Sequence, residues 1–330
     1  MTWRLLGCIA LLAAADAQPP LAAAGHFTVT EQIDAPEGAW TFASIDGAGR
    51  KMYIGRSSGI LAVDLETHRY KTLDTAGKRV QMIIPVPGSN LIVGTEDTTN
   101  SAVILDTSTG AVVGQVSTGR RPETAAFDPF TGVVAVMAGS AEVTLIDPKS
   151  RTATGTIPVD GILESGVADG KGRLFINMEN KHAIAVVDLT SRKMTGSYPL
   201  GDCDDPTGLG YDTKLNLLIT ACGNHVAKAI DAATGADLGT IEIASGPDAV
   251  LVDGERRLAF IPCSEGRLAV ISLAGSKPVL AESVVTAQGA ATGAVDPASG
   301  RVYLPVGRAP ETDFGGRAVP GFAVLIVERK

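Results

Sequence analysis

The chain is built from a short sequence unit that recurs along almost its whole length. In each unit an apolar run ends in Asp before a polar turn, and successive copies are almost evenly spaced. These copies end at Asp64, Asp106, Asp147, Asp188, Asp231 and Ser272. A second marker, a hydrophobic pair followed by Asp and a glycine-containing turn, recurs at Asp46, Asp128, Asp169, Asp212, Asp253 and Asp296, with a degenerate copy at Val86. Two markers with one period indicate a repeat architecture.

Each unit has the pattern of four short strands separated by turns. In the third unit the strands are TAAFD, VVAVM, EVTLID and TATGTIPV, and no segment carries a sustained helical period. Four strands in about 41 residues is the size of one β-propeller blade. Residues 26–330 hold seven such units, so the sequence predicts an all-β, seven-bladed propeller of four-stranded antiparallel blades. We expect residues 25–330 to form this one domain.

The segment HFTVTEQI (26–33) precedes the first unit and has no unit of its own. We expect it to be the outer strand of the last blade, paired with the C-terminal strand near 322–327, because this closes the ring and leaves no free edge. The last unit is lengthened by RAPETDFGGRAVPG (308–321). This insertion is either a partner-contact loop over the channel or a tolerated surface insertion.

The units resemble the YVTN-type repeats of the YncE-like family of exported seven-bladed propellers, over essentially the whole chain from position 25 onwards. The second strands MYIG (52–55), LFIN (174–177) and VYLP (302–305) approximate the family's signature. The segments Gly246-Pro247-Asp248 and 119–123 approximate its inter-blade turn. The resemblance implies the same fold and an exported protein.

The segment 1–24 has the three-part pattern of a secretory signal. A short region with Arg4 precedes an apolar stretch over 5–15, and small residues end at Ala17 and at Ala24. We therefore expect cleavage after one of these alanines, and a periplasmic or secreted protein without a membrane span. The net charge of −8 argues against a general affinity for nucleic acid or anionic lipid.

One mouth of the central channel is predicted from the repeat. The innermost strand of a blade follows the inter-blade turn, so the residue five before each second marker is expected at this mouth. These mouth positions are Thr41, Gln81, Glu123, Glu164, Thr207, Asp248 and Ala291. The three carboxylates Glu123, Glu164 and Asp248 are candidate ligands for Ca²⁺ or Mg²⁺. The alternative interpretation is that they are ordinary turn residues.

We predict a ligand site on the face that carries the inter-blade turns. Its candidate residues are Gln81, Arg120, Arg121, Glu123, Glu164, Asp205, Asp248 and Arg308. The leading interpretation is a monomeric, non-enzymatic scaffold that binds a protein or a small molecule and needs no cofactor. The alternative is a propeller enzyme, a lactone hydrolase or lyase that uses a divalent cation at the mouth.

Three cysteines follow the signal: Cys203, Cys222 and Cys263. Cys203 precedes the first strand of the fifth unit and Cys222 ends its second strand. A hairpin centred near 212–214 brings both to the same face, so one disulfide between them is geometrically reasonable. Cys263 is equivalent to Cys222 in the next unit, too distant to bridge, and is predicted to be a free thiol. The YncE-like resemblance supports this assignment, because the segments around Cys203 and Cys222 recur in that family.

His182 and His225 each lie six residues before a marker Asp and so occupy equivalent places in adjacent units. Equivalent loops of neighbouring blades are roughly 10 Å apart, whereas Zn–N bonds are only about 2 Å long. We expect exposed histidines that hydrogen-bond locally, not a shared zinc site.

Overall fold

The computed structural model describes residues 26–307 and 321–330, which form 28 strands in seven four-stranded antiparallel sheets. This confirms the predicted seven-bladed propeller. The segment 1–24 and most of the insertion, including the candidate ligand residue Arg308, lie outside the described residues. Within the described ranges, no helix has the length and apolar character needed to cross a membrane.

The strands follow the repeat in chain order. Strand β1 (Phe27–Ala35) comes first, and blade one contains β2 (Trp40–Asp46), β3 (Lys51–Arg56), β4 (Gly59–Asp64) and β5 (Tyr70–Leu73). Blade two contains β6 (Ile83–Pro85), β7 (Leu91–Glu96), β8 (Ser101–Asp106) and β9 (Ala111–Ser117). Blade three contains β10 (Pro122–Asp128), β11 (Val133–Ala138), β12 (Glu142–Asp147) and β13 (Thr152–Pro158).

The second half continues the pattern. Blade four contains β14 (Leu163–Ala168), β15 (Arg173–Met178), β16 (Ala183–Asp188) and β17 (Lys193–Pro199). Blade five contains β18 (Pro206–Asp212), β19 (Leu217–Cys222), β20 (Val226–Asp231) and β21 (Asp237–Glu242). Blade six contains β22 (Leu251–Asp253), β23 (Leu258–Cys263), β24 (Arg267–Ser272) and β25 (Val279–Val285), and the last strands are β26 (Ala294–Val295), β27 (Val302–Val306) and β28 (Phe322–Arg329).

The first strand of each blade is the innermost. These strands contact one another in succession around the channel, and β26 contacts both β22 and β2, which closes the circle. The second and third strands are buried on both faces because each blade is sandwiched between two others, and this explains their near-continuous apolar sequences. The outer strands are largely exposed.

Blade seven is completed by the N-terminal strand. Its order is β1-β28-β27-β26, and β1 pairs with β28 from Phe27 opposite Arg329 to Ala35 opposite Phe322. Phe27 is buried and contacts Phe260 of blade six edge-on, with 5.4 Å between ring centroids. The predicted closure is therefore confirmed.

The Asp of the second marker has a structural role in the turn that follows each innermost strand. Asp128 and Asp296 are fully buried, and Asp128 accepts hydrogen bonds from the backbone and side chain of Thr131. Asp296 of blade seven also accepts a 2.7 Å hydrogen bond from Arg50 of blade one. Burial opposes ionisation of Asp296, but the hydrogen bond from Arg50 and those from its own turn lower its pKa to about 2.

Candidate functional site

The mouth positions lie in distorted segments of the innermost strands. The pairing register shifts between Trp40 and Ala43, between Pro122 and Thr124, and between Leu163 and Gly166, with a similar shift in blade five. These β-bulges contain Thr41, Glu123, Glu164 and Thr207. A bulge leaves its extra residue out of the ladder and re-aims its side chain, and such features are common beside functional sites.

Hydrogen bonds between blades hold the mouth together. Side chains of one blade donate to backbone carbonyls at the mouth positions of the next: Thr41 Oγ1 to Gln81 O (2.7 Å), Thr95 Oγ1 to Glu123 O (2.9 Å), Thr124 Oγ1 to Glu164 O (2.8 Å), Asn177 Nδ2 to Thr207 O (2.9 Å) and Thr292 Oγ1 to Thr41 O (2.9 Å). The carbonyls of five mouth positions are therefore already bonded. A ligand at the mouth would be recognised mainly by side chains.

A cavity of about 290 Å³ opens at this mouth. Five of the predicted mouth positions line this cavity. Neighbouring residues that the repeat spacing did not predict line the rest of it. The full lining is Trp40, Thr41, Phe42, Arg79, Gln81, Glu123, Asp248, Gly289, Ala291 and Thr292. The cavity thus combines two carboxylates, one guanidinium and two aromatic rings.

The three carboxylates influence one another electrostatically. Burial, and then the nearby Glu123 carboxylate, raise the pKa of Glu164 to about 8 and that of Asp248 to about 6. The Glu179 and Asp248 carboxylates contribute to the shift of Glu164, and Arg121 opposes it. Within the described residues none of the three carboxylates has a hydrogen-bond or ion-pair partner. Because Glu164 is largely protonated at neutral pH, the uncompensated negative charge belongs mainly to Glu123 and Asp248, which line the cavity.

Gln81 links the positively charged Arg79 of the cavity wall to Asp97. This side chain is buried, accepts a hydrogen bond from Arg79 Nη2 (3.3 Å) and donates to Asp97 Oδ2 (3.0 Å). Arg79 also lies 3.6 Å from the Asp97 carboxylate. Because Gln81 is fixed between these two groups, it serves as a wall of the cavity, and Arg79 carries the charge on that side.

Trp40 separates this cavity from a second one of about 330 Å³. The second cavity is lined mainly by glycines and aromatic rings, including Gly38, Gly307 and Phe322. A Cβ atom at Gly307 would lie 2.0 Å from Trp40 Cζ3, so only glycine leaves room for the ring. The indole is thereby held between an apolar compartment and a charged one.

Four other predicted ligand residues do not line the cavity: Arg120, Arg121, Glu164 and Asp205. Arg120 and Arg121 are exposed on the turn into blade three, and Arg121 has a left-handed backbone (φ 55°). Asp205 is exposed on the turn into blade five and is also left-handed (φ 47°). Sequence reasoning missed Trp40, Phe42, Arg79 and Thr292. Trp40, Phe42 and Thr292 each adjoin a predicted mouth position, and this was the one available signal.

The turn into blade five is fixed at several points. Cys203 and Cys222 are joined by a disulfide with 5.3 Å between their Cα atoms, whereas Cys263 is free and buried. Burial raises the pKa of the Cys263 thiol to about 12, which disfavours the thiolate. His182 Nδ1 lies 3.0 Å from the Cys203 carbonyl oxygen, and the buried Lys228 donates to Asp202 at 2.7 Å.

His182 and His225 lie in exposed turns with left-handed backbone, at φ 47° and 66°. Residues 26–307 and 321–330 contain no group of three or more His, Cys, Asp or Glu side chains placed to hold a metal ion.

The two faces of the propeller differ in charge. On the mouth face, the connections between strands and the strand ends that flank them carry 13 acidic residues: Glu37, Asp74, Glu96, Asp97, Glu142, Asp160, Glu179, Asp202, Asp204, Asp205, Glu242, Asp248 and Glu265. Only seven basic residues accompany them in the described chain: Arg56, Lys78, Arg79, Arg120, Arg121, Lys181 and Arg267.

The opposite face is balanced when it is defined in the same way. Its 14 acidic residues are Asp46, Asp64, Glu66, Asp106, Asp128, Asp147, Asp169, Asp188, Asp212, Asp231, Asp237, Asp253, Glu255 and Asp296. Its 14 basic residues are Arg50, Lys51, Arg69, Lys149, Arg151, Lys171, Arg173, Arg192, Lys193, Lys214, Arg256, Arg257, Lys277 and Arg301. The net negative charge of the described chain therefore lies mainly on the mouth face.

No protein-family model matches the sequence, and no curated protein matches it. Among solved structures, a chain of the "Crystal Structure of Mitotic Checkpoint Complex" is similar, with a TM-score of 0.77 and 12% sequence identity. The match covers 99% of this chain and 99% of that chain. At this identity the similarity shows the propeller fold alone.

Proposed function

We propose that this chain is an exported, non-enzymatic propeller of the YncE-like type that binds a ligand at the channel mouth. The observation that carries the proposal is the cavity bordered by Glu123 and Asp248, whose carboxylates have no partner within the described chain. Partly buried charges without partners cost stability, and a fold that retains them beside a cavity commonly uses them to bind.

The scaffold supports this role. Residues of five blades converge on the cavity, and the hydrogen bonds between blades fix the backbone on which they stand. A rigid framework lowers the entropic cost of ordering a site when a ligand binds. The signal-like segment 1–24 and the YVTN-like strands support export and the family assignment, and the mass of the protein recovered from the periplasm would test the cleavage site.

A thermal-shift comparison tests the proposed site. Wild type and the Glu123→Gln/Asp248→Asn variant are screened against one panel of small molecules and peptides, with Glu66→Gln/Glu255→Gln on the opposite face as the matched control. Ligands of the mouth should stabilise the wild type and the control but not the Glu123→Gln/Asp248→Asn variant. Ligands that stabilise all three proteins equally bind elsewhere and contradict the proposed site.

The same assay separates the binding function from a metal-dependent enzyme. For a binder, Ca²⁺, Mg²⁺ and chelator should leave the melting temperature unchanged. A chelator-reversible stabilisation that disappears in the Glu123→Gln/Asp248→Asn variant would favour the enzyme.

One observation favours an enzyme as the second candidate. A carboxyl group with a pKa of about 8, such as Glu164, is largely protonated at neutral pH and suits a general acid. A lactone hydrolase or lyase would then bind its substrate at the channel mouth within reach of Glu164, which does not itself line the cavity. Lactone hydrolysis that is lost in Glu164→Gln but kept in Glu66→Gln would establish this alternative.

A further inference from the structure

We propose that the partner is a basic polypeptide segment that lies across blades four to six and inserts one Arg or Lys side chain into the mouth cavity. The inference rests on the proposed function and deepens it by naming the class of ligand.

The acidic residues of the mouth face are concentrated on one arc. The connections into and within blades four to six carry Asp160, Glu179, Asp204, Asp205 and Glu265 in addition to Asp248. The side chain of Asp160 is 92% exposed and that of Asp204 is 64% exposed. Only two basic residues of this face, Lys181 and Arg267, lie on the same arc, and Lys181 is paired with Asp160 at 3.1 Å. Arg79, Arg120 and Arg121 lie on the turns into blades two and three. A basic segment is therefore attracted to one side of the mouth and repelled from the other.

The part of the cavity lined by Glu123 and Asp248 suits an organic cation, and Arg79, which also lines the cavity, is paired with Asp97. Glu123 and Asp248 supply two carboxylates, and the rings of Trp40 and Phe42 supply aromatic surface in the same lining. A guanidinium or an ammonium forms ion pairs with carboxylates and stacks on aromatic faces. Ca²⁺, in contrast, takes six to eight oxygen ligands, and the backbone carbonyls of Glu123, Glu164 and Thr207 are already bonded between blades.

A polypeptide fits this face better than a small amine. A cavity of about 290 Å³ accepts one side chain, whereas the acidic arc extends over the turns of three blades. A small amine bound between Glu123 and Asp248 would not reach Asp204 and Asp205, which do not line the cavity. Several cationic side chains spaced along a chain reach both the cavity and the arc.

Fluorescence of Trp40 provides the assay. In the Trp3→Phe chain Trp40 is the only tryptophan, and it lines the cavity. The probes are a short peptide of alternating arginine and glycine, the matched glutamate and glycine peptide, N-acetylarginine amide and CaCl₂. We expect saturable binding of the arginine peptide, which weakens as salt is added, and no binding of the glutamate peptide.

Two pairs of variants locate the binding. Asp204→Asn/Asp205→Asn should weaken the arginine peptide about fivefold, because exposed ion pairs contribute modestly. Asparagine tolerates the left-handed backbone at position 205. Glu123→Gln/Asp248→Asn should weaken it about thirtyfold or more, because these groups are partly desolvated. The opposite-face control Glu66→Gln/Glu255→Gln should change the affinity less than about twofold.

The outcomes separate the two proposals. If N-acetylarginine amide binds as tightly as the peptide and the Asp204/Asp205 variant has no effect, the mouth is a ligand site but the polypeptide inference is wrong. The inference is also wrong if only CaCl₂ or a neutral ligand binds in a manner that depends on Glu123. If the peptide binds wild type and Glu123→Gln/Asp248→Asn with equal affinity, the mouth cavity is not the site and both proposals fail.

Discussion

Because the N-terminal strand closes the ring, we expect its first residue, Phe27, to contribute strongly to stability. This residue begins β1, is 3% exposed and packs on Phe260 of blade six, while β1 itself pairs with β28 of blade seven. Phe27 thus connects the closing strand to the neighbouring blade as well as to its own. We expect Phe27→Ala to lower the free energy of unfolding far more than truncation of an exposed apolar residue.

The magnitude follows from burial. Truncation of a buried Phe to Ala typically costs about 3–5 kcal/mol, because transfer energy is lost and a cavity remains. The unfolding entropy of about 2.1 cal/mol/K per residue amounts to about 0.6 kcal/mol/K for a chain of about 300 residues. A loss of about 4 kcal/mol should therefore lower the melting temperature by about 6 °C. The matched control Val112→Ala, on the outer strand of blade two and 46% exposed, should cost less than about 0.5 kcal/mol.

The assay combines thermal unfolding with amide hydrogen exchange. Exchange of the backbone amides of 322–329 should accelerate in Phe27→Ala, because weakened pairing of β1 exposes the edge of β28. Deletion of 26–33 should have a larger effect and promote aggregation through that edge. Equal melting temperatures for Phe27→Ala and Val112→Ala, with unchanged exchange in β28, would refute the role assigned to β1.

Three further predictions concern single interactions. Loss of the disulfide in Cys203→Ser/Cys222→Ser should lower the free energy of unfolding by about 3 kcal/mol, since the bond closes a loop with a sequence separation of 19. Non-reducing peptide mapping that found Cys263 bridged would contradict this cysteine pairing. Because burial and then Glu123 raise the pKa of Glu164 to about 8, the folded state binds this proton more tightly than the unfolded chain, so stability should fall as pH rises from about 5 to about 8. In Glu164→Gln the melting temperature should depend less on pH than in the wild type. Parallel curves for the wild type and Glu164→Gln would show that Glu164 is not the cause of the pH dependence. Arg50→Met should cost about 3–5 kcal/mol at neutral pH by leaving Asp296 buried without its partner, and Asp296→Asn in the same chain should recover part of the loss. The stabilisation by Asp296 should be complete above about pH 4 and be lost as the pH falls through about 2, and a single-variant cost that persists below that pH would contradict the argument.

The fold could be predicted because a blade is both the repeating unit of sequence and the packing unit of structure. The Asp of the second marker is buried in the turn after the innermost strand in blades three to seven, and Asp128 shows why it recurs: its carboxylate accepts a hydrogen bond from the backbone of that turn. The same regular spacing predicted that Glu123 and Asp248, five residues upstream of their markers, approach the mouth. Both line one cavity.

The rest of the site depends on departures from the repeat. Trp40 and Phe42 flank a mouth position in a bulged segment, where strict alternation no longer tells which side chains face the channel. Arg79 belongs to the connection into blade two, whose marker is degenerate at Val86. Each of these residues is positioned by a local irregularity of the backbone. A prediction from the repeat period assumes regular strands and therefore does not identify them.

The charge asymmetry shows why net charge alone is a weak guide to partners. The acidic residues of the opposite face serve the turns: Asp64, Asp147 and Asp231 accept hydrogen bonds from backbone N–H groups of their own turns, and basic residues balance them in number. The carboxylates of Glu123 and Asp248 have no such task and no partner within the described chain. Charge that the fold does not use is available for binding, and its sign selects a cationic partner. The chain's overall charge of −8 therefore argues against nucleic acid while one face still suits a basic protein segment.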